Sequence, residues 1–266
     1  MTAAKGTPGA AGGVQRVIGV LGGMGPLATA DFYMKLVRLT PARTDQEHPR
    51  VIIDSNAKIA DRTAAVLGRG PDPTPALVAT ARNLERAGAD LIVIPCNSAH
   101  AFLGAIREAV RIPVLDIMEE VAAAVAALEP APASAGILAT QGTLEMQLYH
   151  RALTGRRIAV VQPSAAEEAV VMAAIQAVKA GDLDARVRAS VRAVAATLVA
   201  RGAGAIVLGC TELPLVIGSR DATVPVLDGT EILARAALRE AGGEYGPAPQ
   251  RSDQDGAKST VPVRRS

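Results

Sequence analysis

The chain has 266 residues, of which 49% are hydrophobic and only 2% aromatic, so it is long enough to bury a sizeable core made mainly of aliphatic side chains. Its formal net charge of +2 and its few aromatic stacking platforms argue against a nucleic-acid-binding protein. No apolar run approaches the roughly 18–20 residues that span a bilayer, so we expect no membrane partner.

The N-terminal segment is rich in Gly and Ala and lacks the apolar centre of a secretory signal. We therefore expect a cytoplasmic protein, whose thiols stay reduced. Residues 1–15 and 246–266 are predicted to be disordered tails. In a reducing compartment the two cysteines are either buried small hydrophobic side chains or working thiols.

Short β-branched runs alternate with amphipathic stretches, a pattern typical of parallel α/β structure. The predicted strands of the first half are Arg16–Leu21, Arg50–Ile53, Leu91–Ile94 and Val114–Leu115. Those of the second half are Ala135–Leu138, Ile158–Val161, Ala205–Leu208 and Val224–Leu227. The predicted helices include Pro75–Ala87 and Ala185–Arg201, which end at Gly88 and Gly202, because glycine commonly stops a helix.

An internal repeat relates the two halves of the chain. IGVLGGMGPL aligns with AGILATQGTL, GADLIVIPCNS with GAGAIVLGCTE, and IPVLDIMEE with VPVLDGTEI, in the same order. The repeat predicts an α/β fold with two pseudo-symmetric lobes, each a short parallel sheet flanked by helices, and an active site in the cleft between them. The first lobe is predicted to comprise residues 16–116 and 229–245, and the second residues 117–228.

Cys96 and Cys210 occupy equivalent positions in this repeat, each directly after a predicted buried strand. Ligands of parallel α/β units bind beyond the carboxyl ends of the strands, so the two thiols are expected to face each other across one cleft. Two identical groups on opposite sides of a substrate suit a reaction whose product is the mirror image of that substrate.

The GGMGP segment is a candidate anion site, because Gly22, Gly23 and Gly25 leave backbone N–H groups exposed at a strand-to-helix turn. For the glycines considered alone, a plain tight turn is the better explanation. Their spacing does not match a dinucleotide-binding motif or a P-loop.

We predict neither a metal nor a cofactor. The three histidines show no spacing suited to a metal and are expected to be structural or solvent-facing; they are His48, His100 and His150. No lysine has an evident pyridoxal-binding context.

The chain resembles the aspartate/glutamate racemase family, and most closely its aspartate racemase branch. The stretches that carry the resemblance are GVLGGMGPLATADFY, TDQEHPRVIIDSNAKIADRTA, LERAGADLIVIPCNSAH, GILATQGT, VKAGDL, VLGCTELPL and VPVLDGTEI. They run from about Ile18 to Ala237. The resemblance implies an isomerase, namely a homodimeric, pyridoxal-independent racemase that interconverts L- and D-aspartate.

The resemblance further implies that Cys96 and Cys210 are the paired base and acid at the α carbon. One acts as a thiolate and the other as a thiol, and the roles exchange with the handedness of the substrate. Arg62 and Lys179 are implied to recognise the side-chain carboxylate, the arginine bidentately and the lysine as a point charge. Asn56 is implied to contact the substrate.

The other predicted substrate-binding residues lie within the same motifs. Asn97, Ser98 and Thr211 flank the cysteines and are placed to supply hydrogen-bond donors. Glu212 is expected either to orient the substrate ammonium or to cap the following helix. Met24 and Thr143 complete the set.

The chain departs from the family pattern at a few positions. Ser98 stands where threonine is common, and Met146 and Gln147 stand where a Ser-Gly pair is more usual, so that added bulk is expected to narrow the pocket or change the accepted side chain. Glutamate racemases commonly carry histidine where this chain has Glu212, which favours aspartate.

Other activities on the same scaffold remain as alternatives: a glutamate racemase, a broad-specificity racemase and a maleate-isomerase-like enzyme. A non-catalytic dicarboxylate-binding protein is the alternative of a different class.

Overall fold

The computed structural model describes residues 15–242. The predicted tail 246–266 and all but the last residue of the predicted tail 1–15 lie outside this range. Within the described range no helix is long and apolar enough to cross a membrane.

Parallel strands form two separate sheets in the described part of the chain. The strands are β1 (Ile18–Gly22), β2 (Val51–Ser55), β3 (Leu91–Val93), β4 (Ser134–Ala139), β5 (Ala159–Val161), β6 (Ile206–Gly209) and β7 (Val226–Asp228). The first sheet has the order β2-β1-β3 and the second β5-β4-β6-β7. The predicted α/β class with two helix-flanked parallel sheets is confirmed.

The helices lie between and around these strands. They are α1 (Pro26–Leu39), α2 (Arg62–Val66), α3 (Thr74–Arg86), α4 (Leu103–Ala109), α5 (Ile117–Ala126), α6 (Gln141–Glu145), α7 (Leu148–Thr154), α8 (Ala165–Lys179), α9 (Ala185–Ala200) and α10 (Gly229–Glu240). Short 3-10 helices occupy Asp45–Glu47, Ser98–Phe102 and Leu213–Leu215. Gly88 and Gly202 follow α3 and α9 with φ angles of 93° and 96°, the left-handed conformation that ends a helix.

The repeat is visible in the strand order, since β1 lies between β2 and β3 just as β4 lies between β5 and β6. The counterpart of β7 is reduced to an isolated bridge between Ile92 and Val114, where the sequence predicted the strand Val114–Leu115. The difference has no explanation in the neighbouring residues, because β7 is likewise preceded by a proline, Pro225, and followed by an aspartate that caps a helix, Asp228.

The core has three parts because alternate strand residues face opposite sides of each sheet. One apolar cluster joins both sheets to a shared helical layer and includes Val20, Phe32, Val121, Ile137 and Leu233. The outer face of the first sheet packs against α3 and α4, and that of the second against α8 and α9.

Candidate active site

Cys96 and Cys210 lie just beyond β3 and β6, the equivalent strands of the two sheets. Both thiols are free, and the residues are buried, with exposed fractions of 4% and 5%. Each residue lines the same cavity. The structure therefore brings the two predicted catalytic thiols to one site.

Segments that follow β1, β2, β3, β4 and β6 line this cavity, together with the last residue of α8. Its lining residues are Met24, Asp61, Arg62, Thr63, Cys96, Asn97, Ser98, Thr140, Lys179, Cys210, Thr211 and Glu212. The cavity has a volume of about 10 Å³, room for about one water molecule. A neighbouring cavity of about 270 Å³ shares five lining residues with it; they are Met24, Asp61, Arg62, Lys179 and Glu212. We call this wider cavity the vestibule.

Glu212 holds the proton of Cys210. The Cys210 Sγ donates to Glu212 Oε2 at 3.0 Å, and the Thr211 hydroxyl donates to the same oxygen at 3.3 Å. Burial raises the pKa of Cys210 well above its usual value, and the Glu212 carboxylate and its hydrogen bond raise it further, while Lys179 acts in the opposite direction. Cys210 is therefore a thiol at neutral pH.

Cys96 has a different environment, in which its thiol lies near a hydroxyl group rather than a carboxylate and its backbone carbonyl contacts an imidazole. Its Sγ lies 3.6 Å from the Ser98 hydroxyl. His100 Nδ1 lies 3.0 Å from the Cys96 carbonyl oxygen, and Ile117 N–H donates to His100 Nε2 at 3.3 Å. Because Nε2 accepts, the Nδ1 proton is the one donated to Cys96. The neutral imidazole thus ties the Cys96 loop to the start of α5.

The histidines do not assemble a metal site. His150 Nε2 pairs with Gln162 Nε2 at 2.9 Å, His48 is half-buried, and His100 is buried in the link just described. Residues 15–242 contain no group of His, Cys, Asp and Glu side chains that could hold a metal ion.

Acidification is expected to destabilise the fold through His100. Burial lowers the pKa of His100 in the folded protein, so below the ordinary value of about 6.5 the unfolded chain takes up the proton first. The stability that the folded protein gains from a neutral His100 is present above about pH 6.5 and is lost as the pH falls below it, by up to about 1.4 kcal/mol per pH unit. We expect the slope of unfolding free energy between pH 7 and pH 5, from urea titrations, to be shallower in His100→Gln. His48→Gln is the control, and a slope unchanged in His100→Gln would contradict the assignment.

Arg62 and Lys179 both line the cavity and the vestibule. Arg62 is 7% exposed, and its Nη1 donates to the carbonyl oxygens of Ile59 and Ala60 at 3.2 and 2.8 Å. These bonds fix the guanidinium at the cavity wall. Lys179 is the exposed last residue of α8, so the two cations approach the site from opposite halves of the chain.

Two predicted substrate-binding residues lie outside the lining of both cavities. The Asn56 amide donates to Thr80 Oγ1 at 3.1 Å and accepts from Lys58 N–H at 3.1 Å. Thr143 is buried with its Oγ1 3.0 Å from Thr140 Oγ1. In this structure both side chains support neighbouring loops.

Met146 and Gln147 do not narrow the cavity, because neither lines it or the vestibule. Gln147 is exposed and has a φ of 51°, a left-handed conformation that glycine adopts more readily. The usual glycine at this position is thus explained by the backbone rather than by the pocket.

The glycine turn before α1 is closed by an internal hydrogen bond. Gly23 N–H donates to Thr29 Oγ1 at 2.9 Å, so this group is not available to a carboxylate. Gly23 has a φ of 89°, and a Cβ there would lie 2.4 Å from the Asn56 backbone. A tight turn therefore accounts for this glycine, and the predicted anion site does not include its N–H.

Sequence reasoning missed four residues of the site: Asp61, Thr63 and Thr140 in the lining, and Tyr149 behind it. The Tyr149 hydroxyl donates to Asn97 Oδ1 at 2.6 Å. The repeat carried a signal for Thr140, because ILATQGT aligns with VLGGMGP and places Thr140 opposite Gly23. No sequence pattern signals the Tyr149 contact, which spans 52 positions of the chain.

Unpartnered polar atoms are concentrated at the cavity. Of the buried side-chain atoms without a hydrogen-bond partner in the described range, three belong to lining residues: Arg62 Nε, Asn97 Nδ2 and Glu212 Oε1. Burying such groups is costly unless a ligand satisfies them. Three side chains that line the cavity thus carry an unsatisfied polar atom each, two of them donors and one a carboxylate oxygen.

Comparisons with known proteins agree on one family. The sequence profile described as Asp/Glu/Hydantoin racemase matches residues 21–237. The chain is 28% identical over 229 residues to the broad specificity amino-acid racemase RacX of Bacillus subtilis (strain 168), covering 84% of this chain and 96% of that protein. A glutamate racemase of Deinococcus radiodurans is 35% identical over 138 residues, or 51% of this chain and 46% of that enzyme. The solved structure of Picrophilus torridus aspartate racemase has a TM-score of 0.78 and 28% identity, covering 87% of this chain and 96% of that one.

Proposed function

The chain belongs to the Asp/Glu/hydantoin racemase family, and we propose that it interconverts L- and D-aspartate by two-base proton transfer between Cys96 and Cys210, without pyridoxal phosphate. The observation that carries the proposal is that one cavity is lined by both cysteines and by three side chains that each carry an unpartnered polar atom.

Proton transfer requires one thiolate and one thiol, and the contacts of Cys210 favour one assignment. Cys210 shares its proton with Glu212 and is therefore the acid, which leaves Cys96 as the base in the resting enzyme. Cys96 removes the α-proton from one face, and the Cys210 S–H proton is delivered to the opposite face of the carbanion. For the other enantiomer the two roles exchange, so no net proton is consumed.

The unpartnered atoms of the cavity match an acidic amino acid. Glu212 Oε1 is suited to accept from the substrate ammonium, and Asn97 Nδ2 to donate to the α-carboxylate. Arg62 Nε is suited to donate to the side-chain carboxylate, with Lys179 as a second positive charge. We propose that Met24, Ser98 and Thr211 line the bound substrate as well, and that Asn56 and Thr143 act through the loops they support.

A glutamate or broad-specificity racemase is the second candidate, and the vestibule is the observation that favours it. This cavity of about 270 Å³ offers room for a side chain longer than that of aspartate. A non-catalytic dicarboxylate-binding protein is a third candidate, and the assay described next distinguishes it from a racemase.

The test is incubation of the reduced protein with L-aspartate in deuterium oxide, without pyridoxal phosphate. Chiral chromatography and proton NMR follow D-aspartate and its α-deuteration. Deuterated D-aspartate is the expected product. Turnover of glutamate or another amino acid in place of aspartate would contradict the proposed substrate and leave the proposed mechanism in place. Saturable binding without turnover of any amino acid would contradict a racemase and favour the binding protein.

We also propose a cytoplasmic homodimer, each chain of which has two lobes, residues 16–116 with 229–245 and residues 117–228; residues 243–245 lie outside the described range. Light scattering coupled to size exclusion tests the dimer.

A further inference from the structure

Tyr149 is a buried aromatic residue in a chain that has few of them. It is 1% exposed, lies on α7, and donates its hydroxyl proton to Asn97 Oδ1 at 2.6 Å. Burial raises the pKa of Tyr149, so the hydroxyl remains a donor. The acceptor belongs to the residue directly after Cys96.

The ring of Tyr149 rests on the other cysteine strand. A Cβ added to Gly209, the residue directly before Cys210, would lie 2.9 Å from Tyr149 Cε2. One side chain thus contacts the strand end that carries Cys210 and the loop that carries Cys96. Its position sets the geometry of both.

The hydrogen bond also decides which end of the Asn97 amide faces the cavity. Oδ1 is occupied by Tyr149, whereas Nδ2 is buried and has no partner among the described residues. Asn97 is 3% exposed and lines the cavity. If the hydroxyl is removed, the amide is free to turn its oxygen toward the site, where it repels a carboxylate.

We propose that Tyr149 is a positioning residue that holds the Asn97 amide with Nδ2 directed at the carboxylate of the bound amino acid. This inference rests on the proposed function for the identity of the ligand. Tyr149 lies in the second half of the chain and thus contributes to the recognition of a carboxylate that Asn97 binds from the first half.

The test is a double-mutant cycle of Tyr149→Phe and Asn97→Ala in the full-length protein. Calorimetric titration with L-aspartate gives the dissociation constant whether or not the amino acid is turned over, and the deuterium assay gives KM and kcat. We expect Tyr149→Phe to raise the dissociation constant and KM about tenfold, as is typical when a buried polar group loses its partner, with a much smaller change in kcat. In the Asn97→Ala background the same substitution is expected to add less than about twofold.

The control is Tyr33→Phe, since Tyr33 is 41% exposed and lies outside both cavities; it is expected to bind like the wild type. The inference would be overturned if Tyr149→Phe lowered the affinity for L-aspartate a further tenfold in the Asn97→Ala background, or if the single variant Tyr149→Phe lost no affinity. Should Tyr149→Phe not fold, Asn97→Asp keeps the acceptor and removes the N–H; unchanged binding by this variant would overturn the inference equally. If L-aspartate binds without being turned over, the proposed function is contradicted but the double-mutant cycle can still be interpreted. If L-aspartate does not bind to the wild type, both the proposed function and the inference about Tyr149 are contradicted.

Discussion

Replacement of Cys210 by alanine is expected to lower kcat for aspartate racemisation by about 10³-fold or more, since positioned acid–base groups contribute about 10²–10⁴-fold. Exchange of the α-hydrogen with solvent should survive in one enantiomer only. In this variant Cys96 still removes the proton on its own face, exchanges it with deuterium oxide and returns a deuteron to the same face. Proton NMR of each enantiomer, incubated separately, measures this exchange.

Cys96→Ala is the matched variant, and its α-hydrogen exchange is expected in the enantiomer opposite to the one that exchanges in Cys210→Ala. Its exchange is expected to be slower than that of Cys210→Ala, because the remaining thiol is the one that Glu212 keeps protonated. Thermal unfolding establishes that both variants are folded. Racemisation at the wild-type rate in either variant, or equal exchange of both enantiomers, would contradict the two-base mechanism.

The sheets were predictable because the chain repeats its own pattern. Buried parallel strands are short apolar runs, and each predicted run except Val114–Leu115 forms a strand of the structure. That exception was beyond a periodicity argument. Its counterpart β7 has the same proline before it and the same capping aspartate after it, Pro225 and Asp228, and still pairs with β6 over three residues, so the local sequence does not distinguish the two segments.

From the residue pattern alone the site was predictable only in its strand-end residues, whereas Arg62 and Lys179, which also line the cavity, were implied by the family resemblance. Cys96, Asn97, Cys210 and Glu212 follow buried strands directly, and such positions meet at one edge of parallel sheets. The sequence left open whether Glu212 binds the substrate or caps a helix. Its side chain makes no cap hydrogen bond, and we propose that its contact with Cys210 Sγ at 3.0 Å serves proton transfer in addition to substrate binding. Which way a side chain points depends on contacts between distant elements, as with Tyr149, and spacing carries no information about them.

Glu212→Gln is expected to lower kcat/KM for aspartate by about 10²-fold, the loss typical when a buried charge partner of a ligand is removed. The pH dependence should change in a definite direction. The carboxylate of Glu212 raises the pKa of Cys210, so the neutral amide allows the thiol to ionise at lower pH. Activity that requires the Cys210 proton is then lost earlier as pH rises, and the alkaline limb of the kcat/KM profile moves to lower pH.

The same substitution is expected to raise the melting temperature, because Glu212 is 2% exposed and its Oε1 has no partner among residues 15–242. Burying a carboxylate with one oxygen lacking a partner costs more than burying an amide of the same shape. Glu119→Gln is the control, since this side chain is 55% exposed in a surface ion pair with Arg156 and should leave the pH profile unchanged. An alkaline limb that stays in place in Glu212→Gln would mean that Cys210 is not the resting acid. Loss of activity together with a gain in stability is what distinguishes a carboxylate retained for proton transfer from one that supports the fold.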